Sequence, residues 1–172
     1  MQESISLEHV IAGGENLTVE FKSDRKALPD RDLISAVVAL ANTEGGVLLL
    51  GVEDSGEVTG LHENHRDLDG LASLIANRTN PSLAVNVHSV QLRGMEIARV
   101  QVPKARQLIA TSEGVLQRRR MMANGKPEAV PFYPHEFVQR QSSLGLLDPS
   151  ALPLGDLTVD EFNPLERQRL RE

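Results

Sequence analysis

The sequence predicts an α/β (α+β) fold with a mixed, mainly antiparallel sheet, two main helices and an acidic C-terminal tail. Residues 17–22 alternate apolar and polar side chains, which is typical of a strand. Apolar residues recur at helical spacing over residues 30–42 and 68–77. Between these helices, residues 47–52 are almost wholly apolar after two glycines, which indicates a strand covered on both faces.

The first half therefore reads as helix, strand, helix, strand and helix. A short helical turn at residues 7–11 ends at Gly13-Gly14, and the strand at 17–22 places Glu20 on its polar face. Asp30 and Asp32 are candidate caps of the next helix. Residues 54–56 form a tight turn after the buried strand, 57–59 return from it, and the helix at 68–77 closes before Asn80-Pro81.

The second half is predicted to consist of hairpins and one short helix. Residues 83–91 and 95–102 pair around Arg93-Gly94. Residues 108–111 and 115–119 form a second strand pair, followed by a loop over 121–130 and a helix over 134–140. If residues 115–120 are extended, Arg118 and Arg120 share one face and Arg119 lies on the other.

The composition changes after residue 147, which predicts a domain over residues 1–147 and a separate tail over residues 148–172. The tail holds six Asp or Glu against three Arg. It is too apolar for a free linker, so we expect it to dock, to swap, or to begin a following domain. Asn163-Pro164 with Glu166 predicts the start of a helix. The apolar residues of the tail are Leu152, Leu154, Leu157, Val159, Phe162 and Leu165.

Charge is unevenly distributed, although the formal net charge is −6. Residues 1–88 hold six Lys or Arg against fourteen Asp or Glu, whereas residues 89–140 hold nine against four. The basic half favours contact with a phosphate backbone. The alternative is a solvated edge strand whose charges prevent aggregation. With four Phe, one Tyr and no Trp, stacking on bases is disfavoured. The predicted nucleic-acid contacts are Lys104, Arg106, Arg118, Arg119, Arg120 and Lys126.

Several classes of protein and site are disfavoured. The chain has no cysteine, which excludes disulfides and thiolate metal sites and is typical of a cytoplasmic protein. No apolar run is long enough for a membrane span, and the N-terminus is no secretory signal. Gly125-Lys126 lacks the remainder of a phosphate loop, so ATP is not expected here. His62 and His65 are expected in a polar surface loop rather than at a transition metal.

Three stretches together resemble the Schlafen-type AlbA-like domain: Glu15 with Glu20-Phe21-Lys22, the string ALANTEGGVLLLGVEDSGEVTG, and the strand ending in Arg118-Arg119-Arg120. The similarity spans about residues 7–140. It implies a small α/β domain, often dimeric, at the front of bacterial transcriptional regulators labelled as divergent AAA-type proteins. It also implies nucleic-acid binding. In the ribonuclease branch of the family, two glutamates and a later aspartate form a metal-dependent site, which corresponds here to Glu15, Glu20 and Asp54.

Three functions therefore stay open. The first is binding of nucleic acid, DNA before RNA, by a homodimer in a bacterial regulator. The second is a nuclease whose Glu15, Glu20 and Asp54 hold Mg²⁺ or Mn²⁺, since these ions prefer carboxylate oxygens. In the competing structural interpretation, Glu20 pairs with Lys22 or Lys26 and Asp54 shapes the turn. The third is a dimerisation or protein-interaction module without nucleic acid.

Overall fold

The computed structural model describes residues 2–148, together with 163 and 168. Residues 2–148 form four helices and eight strands, and a 3₁₀ turn at Glu63–His65 precedes the third helix. The predicted helix start at Asn163-Pro164 and the predicted docking of the tail lie outside the described residues. In chain order the elements are α1 (Gln2–Gly13), β1 (Val19–Lys22), α2 (Asp30–Ala41), β2 (Gly46–Leu50), α3 (Leu68–Asn77), β3 (Thr79–Asn80), β4 (Asn86–Leu92), β5 (Met95–Val102), β6 (Ala110–Thr111), β7 (Gln117–Met121), β8 (Pro127–Pro131) and α4 (Pro134–Ser143).

The main sheet has four strands in the order β1-β2-β5-β4. The pair β1–β2 is parallel, with Phe21 opposite Leu49, while β2–β5 and β4–β5 are antiparallel. Two further antiparallel pairs, β3–β6 and β7–β8, lie outside this sheet. The mixed, mainly antiparallel arrangement predicted from the sequence is confirmed.

Both faces of the main sheet are covered, because β2 sends alternate side chains into two separate cores. Leu48 and Leu50 pack with α2 and α3 on one face. Val47 and Leu49 pack with α1 on the other face. Strand alternation then places Glu20 and Lys22 of β1 on the α2 side, opposite to the buried Phe21. The wholly apolar run of β2 thus indicated its central position.

The corner between α2 and β2 holds the backbone that follows β5, in addition to the β2–β5 pairing that joins the two halves of the chain. The buried Asn42 side chain donates to the carbonyls of Ile109 (2.7 Å) and Gln117 (2.9 Å) and accepts from the Ile109 amide (2.9 Å). Gly45 and Gly46 have φ values of +69° and +137°. A Cβ at Gly45 would lie 2.5 Å from the backbone nitrogen of Lys104, and a Cβ at Gly46 would overlap the backbone carbonyl of Thr18. The two glycines therefore allow backbone to approach backbone from both sides.

One strand pairing predicted for the second half is wrong. Residues 108–111 do not pair with 115–119; β6 pairs with β3, and β7 pairs with β8. The predicted loop over 121–130 is the turn and second strand of this hairpin, in which Met122 N–H donates to the Lys126 carbonyl at 2.8 Å. The prediction failed because β8, with two prolines and a glutamate, lacks apolar alternation.

Other local predictions also need correction. The N-cap of α2 is Pro29, and Asp30 and Asp32 lie inside its first turn without capping it. Residues 57–59 form only an isolated bridge, Val58 to Val52, rather than a strand. His65 is buried instead of lying on a surface loop. None of the described helices is long and apolar enough to cross a membrane.

We expect Asn42→Ala to lower the free energy of unfolding by about 2–4 kcal/mol, because it leaves buried amide and carbonyl groups without partners. Chemical denaturation followed by circular dichroism measures the loss. Asn77→Ala, at the exposed end of α3, is the matched control and should change stability by less than about 1 kcal/mol. Equal effects in the two variants would show that the Asn42 contacts do not stabilise the corner.

Candidate functional site

The site is organised by a buried arginine on β7. Arg119 is 4% exposed, and its guanidinium reaches the N-terminal part of β1. It forms an ion pair with Glu20 and donates to the Asn16 carbonyl from Nε (3.1 Å) and Nη2 (2.7 Å), and to the Val19 carbonyl at 3.1 Å. Its backbone N–H donates to the Thr43 hydroxyl at 2.8 Å. Arg119 thus connects the β7–β8 hairpin to both β1 and the α2 corner.

The outer edge of β1 is completed by side chains rather than by another strand. Glu15 accepts a hydrogen bond from the Phe21 amide at 2.9 Å through Oε1. The Val19 carbonyl accepts from the Asn16 amide as well as from Arg119. These contacts satisfy edge groups that would otherwise be open to strand addition from another chain. Glu15 and Arg119 therefore have structural roles in addition to any chemistry.

The three predicted carboxylates lie close enough to influence one another. Partial burial raises the pKa of the Glu15 carboxyl above its ordinary value, and the charges of Glu20 and Asp54 raise it further. The Phe21 amide and Lys22 act in the opposite direction on the same pKa. Asp54 is exposed, and Glu20 is buried. The structure thus brings Glu15, Glu20 and Asp54 into one electrostatic cluster with Lys22.

This cluster does not fit a metal ion as it stands. Glu20 is engaged at both oxygens, Oε1 with Lys22 Nζ at 2.5 Å and Oε2 with Arg119. Glu15 Oε1 is already occupied by the Phe21 amide. Within the described residues, no group of three His, Cys, Asp or Glu side chains is arranged to hold a metal. Two cations already neutralise the carboxylate that a divalent ion would need.

A neighbouring acid, Glu53, is ordered by three side chains from two segments. Its Oε1 accepts from the hydroxyls of Thr59 and Ser23, both at 2.8 Å, and from Arg25 Nε at 3.2 Å. The Thr59 and Ser23 hydroxyls, followed by Arg25, lower the pKa of the Glu53 carboxyl. Its neighbour Asp54 stays exposed beside this fixed group.

The loop after β1 contains a buried acid that was not identified from the sequence. Asp24 is fully buried and accepts from the amides of Leu28 (2.8 Å) and His62 (2.7 Å). Its Oδ1 also contacts His65 Nδ1 at 2.8 Å. Asp24 and His65 are 41 residues apart, so no local spacing could have indicated their contact.

Four of the six predicted nucleic-acid contacts carry an acidic partner in the structure. Lys104 pairs with Glu44 at 2.7 Å, Arg118 with Glu136, Arg119 with Glu20, and Arg120 with Glu128 at 3.8 Å. Arg106 and Lys126 are exposed, and the described residues provide neither with an ion pair. The predicted separation of Arg119 from Arg118 and Arg120 on opposite strand faces agrees with its burial.

Two basic side chains and the β7 backbone meet near Thr43 and Glu44 at the end of α2. Lys104 reaches Glu44, Arg119 N–H reaches Thr43, and Arg140 Nη2 approaches the Thr43 carbonyl at 3.5 Å. The hydrogen bond and charge of Lys104, with Arg140 adding its charge, lower the pKa of the Glu44 carboxyl. The sequence did not indicate Arg140 because the α4 helix that carries it is short and mostly polar. We define Lys104, Arg106, Arg118, Arg120, Lys126 and Arg140 as the basic surface.

Comparisons with known proteins agree with this fold. A family model described as Schlafen, AlbA_2 matches residues 15–125, which is more than half of the chain. The crystal structure of the DIP2311 protein from Corynebacterium diphtheriae is 22% identical with a TM-score of 0.67; the match covers 92% of this chain and 36% of that one. This likeness shows the fold, and the chain spans about a third of the length of DIP2311.

A second similar structure is the N-terminal domain of a protein from Nitrosomonas europaea that is related to the ATP-dependent DNA helicase RecG. It is 28% identical, with a TM-score of 0.46, and the match covers 59% of this chain and 72% of that one.

Glu15→Gln and Glu53→Gln should change the pH dependence of stability in opposite directions. The raised pKa of Glu15 means that its stabilising effect is complete below the ordinary value of 4.5 and is lost as pH rises through the folded-state value. Glu15→Gln should therefore be more stable than the unsubstituted chain at neutral pH, with the difference vanishing in acid. Glu53, whose pKa is lowered, contributes stability above its ordinary value, so Glu53→Gln should be less stable at neutral pH.

Denaturant midpoints between pH 4 and pH 8 provide the test. A loss of stability in Glu15→Gln at neutral pH would contradict the proposed repulsion within the carboxylate cluster.

Proposed function

Because the chain belongs to the Schlafen AlbA_2 family, we propose that its domain binds nucleic acid through the phosphate backbone. The observation that supports this proposal is the convergence of the Lys104 and Arg140 side chains with the β7 backbone near Thr43 and Glu44. Positive charge from the 103–106 loop and from α4 thereby collects beside β7, the strand that carries Arg118 and Arg120. A phosphate backbone is the partner that such a surface fits best.

The acidic partners of the basic surface do not prevent this binding. Exposed ion pairs contribute only about 0–1 kcal/mol, so a phosphate oxygen exchanges readily with Glu44 or Glu128. Arg118 is less available, because Glu136 holds it and also accepts from the Tyr133 amide at the start of α4. Arg119 is buried and is not expected to touch nucleic acid directly. Arg120, Lys126, Lys104 and Arg106 are therefore the main proposed contacts.

The proposal also covers the kind of nucleic acid bound and the protein in which the domain acts. We propose double-stranded DNA as the target, because the scarcity of aromatic side chains disfavours stacking on unpaired bases. The domain would act as a homodimer within a cytoplasmic bacterial transcriptional regulator. In this setting the basic surface supplies affinity, and sequence choice comes from DNA shape or from another part of the assembly.

A second candidate is a nuclease that uses Glu15, Glu20 and Asp54. The raised pKa of Glu15 favours it, because a clustered carboxyl that resists ionisation is a frequent sign of a functional site. The engagement of Glu20 by Lys22 and Arg119 argues against three carboxylates binding a metal in this conformation. We therefore place DNA binding first.

We expect Arg120→Ala and Lys126→Ala each to weaken binding of duplex DNA roughly tenfold, since a charge-assisted contact contributes about 1.5 kcal/mol. Each variant should also reduce the slope of log K against log salt by about one, whatever the DNA sequence. Fluorescence anisotropy at several salt concentrations measures both quantities. Arg66→Ala is the matched control, because Arg66 is exposed at the opposite end of β2, near Asp24.

Equal binding by all four proteins would contradict the proposed surface. Parallel incubations of DNA and tRNA with Mn²⁺ or EDTA distinguish the second candidate. Fragments that require Mn²⁺ and disappear both in Glu20→Gln and in Asp54→Asn, at an exposed position, would replace the binding proposal with the nuclease.

A further inference from the structure

The last described helix, α4, is held to the domain by few contacts. None of its ten residues is buried within the described part of the chain. Its ties are the Phe132–Phe137 ring contact, with centroids 6.0 Å apart, the Arg118–Glu136 ion pair and the Arg140 contact with Thr43. A helix of this length is marginal in water unless an apolar face is covered.

The outer side of α4 and the adjoining hairpin expose apolar side chains. Val138 lies in α4, Leu146 follows it and Tyr133 precedes it, while Met121 and Met122 lie at the hairpin tip. All five side chains are between 37% and 57% exposed. Arg120 lies beside Met122, with Nη2 3.6 Å from its sulfur. We call Tyr133, Val138, Leu146 and Met122, with Arg120 and Lys126, the α4–hairpin face; strand alternation places Met121 next to it on the other side of β7. This face is both apolar and positively charged, so its partner should be apolar and acidic.

The chain itself continues into a segment with these properties. Residues 148–166 contain five Asp or Glu and no Lys or Arg, and the acids are interleaved with Leu, Val and Phe. This segment begins two residues after Leu146. Even partly extended, it has ample length to cross the α4–hairpin face, because an extended chain spans about 3.3 Å per residue.

We propose that residues 148–166 dock in cis on the α4–hairpin face. Leu157 and Phe162 cover the exposed apolar side chains, and Asp156, Asp160 and Glu161 meet Arg120 and Lys126. The tail then occupies part of the surface proposed to bind DNA, so it acts as an internal competitor of the phosphate backbone. The competition rests on the proposed function, whereas the docking does not.

The position of the tail can be measured in the full chain, because the sequence has no cysteine and only four methionines. A nitroxide on Thr158→Cys should broaden the methyl signals of Met121 and Met122 in a ¹³C-methionine sample. Met95, which lies near Gly60 on another part of the domain, should stay sharp as the internal control. Unbroadened Met121 and Met122 signals would overturn docking. In a mixture of nitroxide-labelled chains and separate ¹³C-methionine chains, broadening that appears only in this mixture would show that the face binds a second copy. That result would also overturn docking in cis.

The competition is tested by Leu157→Ser combined with Phe162→Ser, again in the full chain. If the tail covers about nine-tenths of the molecules, this variant should bind DNA about tenfold more tightly. The control Leu170→Ser, which lies beyond the acidic stretch, should bind as the unsubstituted chain does. Unchanged affinity in the double variant would overturn the competition. Absence of DNA binding in every variant would refute the proposed function instead, while the methyl signals would still decide the docking.

Discussion

The guanidinium of Arg119 crosses from the β7–β8 hairpin to the outer edge of β1 and attaches that hairpin to the main sheet. A buried charge needs compensation, and Arg119 obtains it from Glu20 and from the carbonyls of Asn16 and Val19. Lys22 then shares the charge of Glu20, and Glu15 completes the same edge through the Phe21 amide. The carboxylate cluster and the hairpin that carries the basic surface are therefore parts of one polar network.

Several residues of the motif that resembles a known family also hold the fold together. Asn42 fixes the Ile109 and Gln117 backbones, Thr43 accepts from Arg119 N–H, and the two glycines after Glu44 let neighbouring backbone approach. Glu15 differs from these residues, because partial burial and the charges of Glu20 and Asp54 raise the pKa of its carboxyl and disfavour its charged form in the folded chain.

Sequence periodicity predicted the main sheet and its helices, because β2, β5, α2 and α3 bury enough apolar side chains to display their period. Periodicity failed for β8, because its two prolines and one glutamate break the alternation of apolar and polar side chains. The hairpin partner of β7 was therefore also missed. The acids of the site were identified through resemblance, and the pairing of Glu20 with Lys22 was among the expected alternatives, but the pairing of Glu20 with Arg119 was not. Arg119 and Glu20 are 99 residues apart, and only the folded chain shows that a predicted phosphate contact is a buried counterion.

The coupling between Arg119 and Glu20 holds this polar network together, and a double-mutant cycle measures it directly. Free energies of unfolding from urea titrations are needed for the unsubstituted chain, Glu20→Gln, Arg119→Met and the double variant. We expect Arg119→Met alone to cost about 3–5 kcal/mol, because it leaves the buried Glu20 with only Lys22 as a counterion. The double variant should be more stable than the sum of the single losses predicts, with a coupling energy of about 2 kcal/mol. Additive losses, within about 0.5 kcal/mol, would contradict the central role of this ion pair.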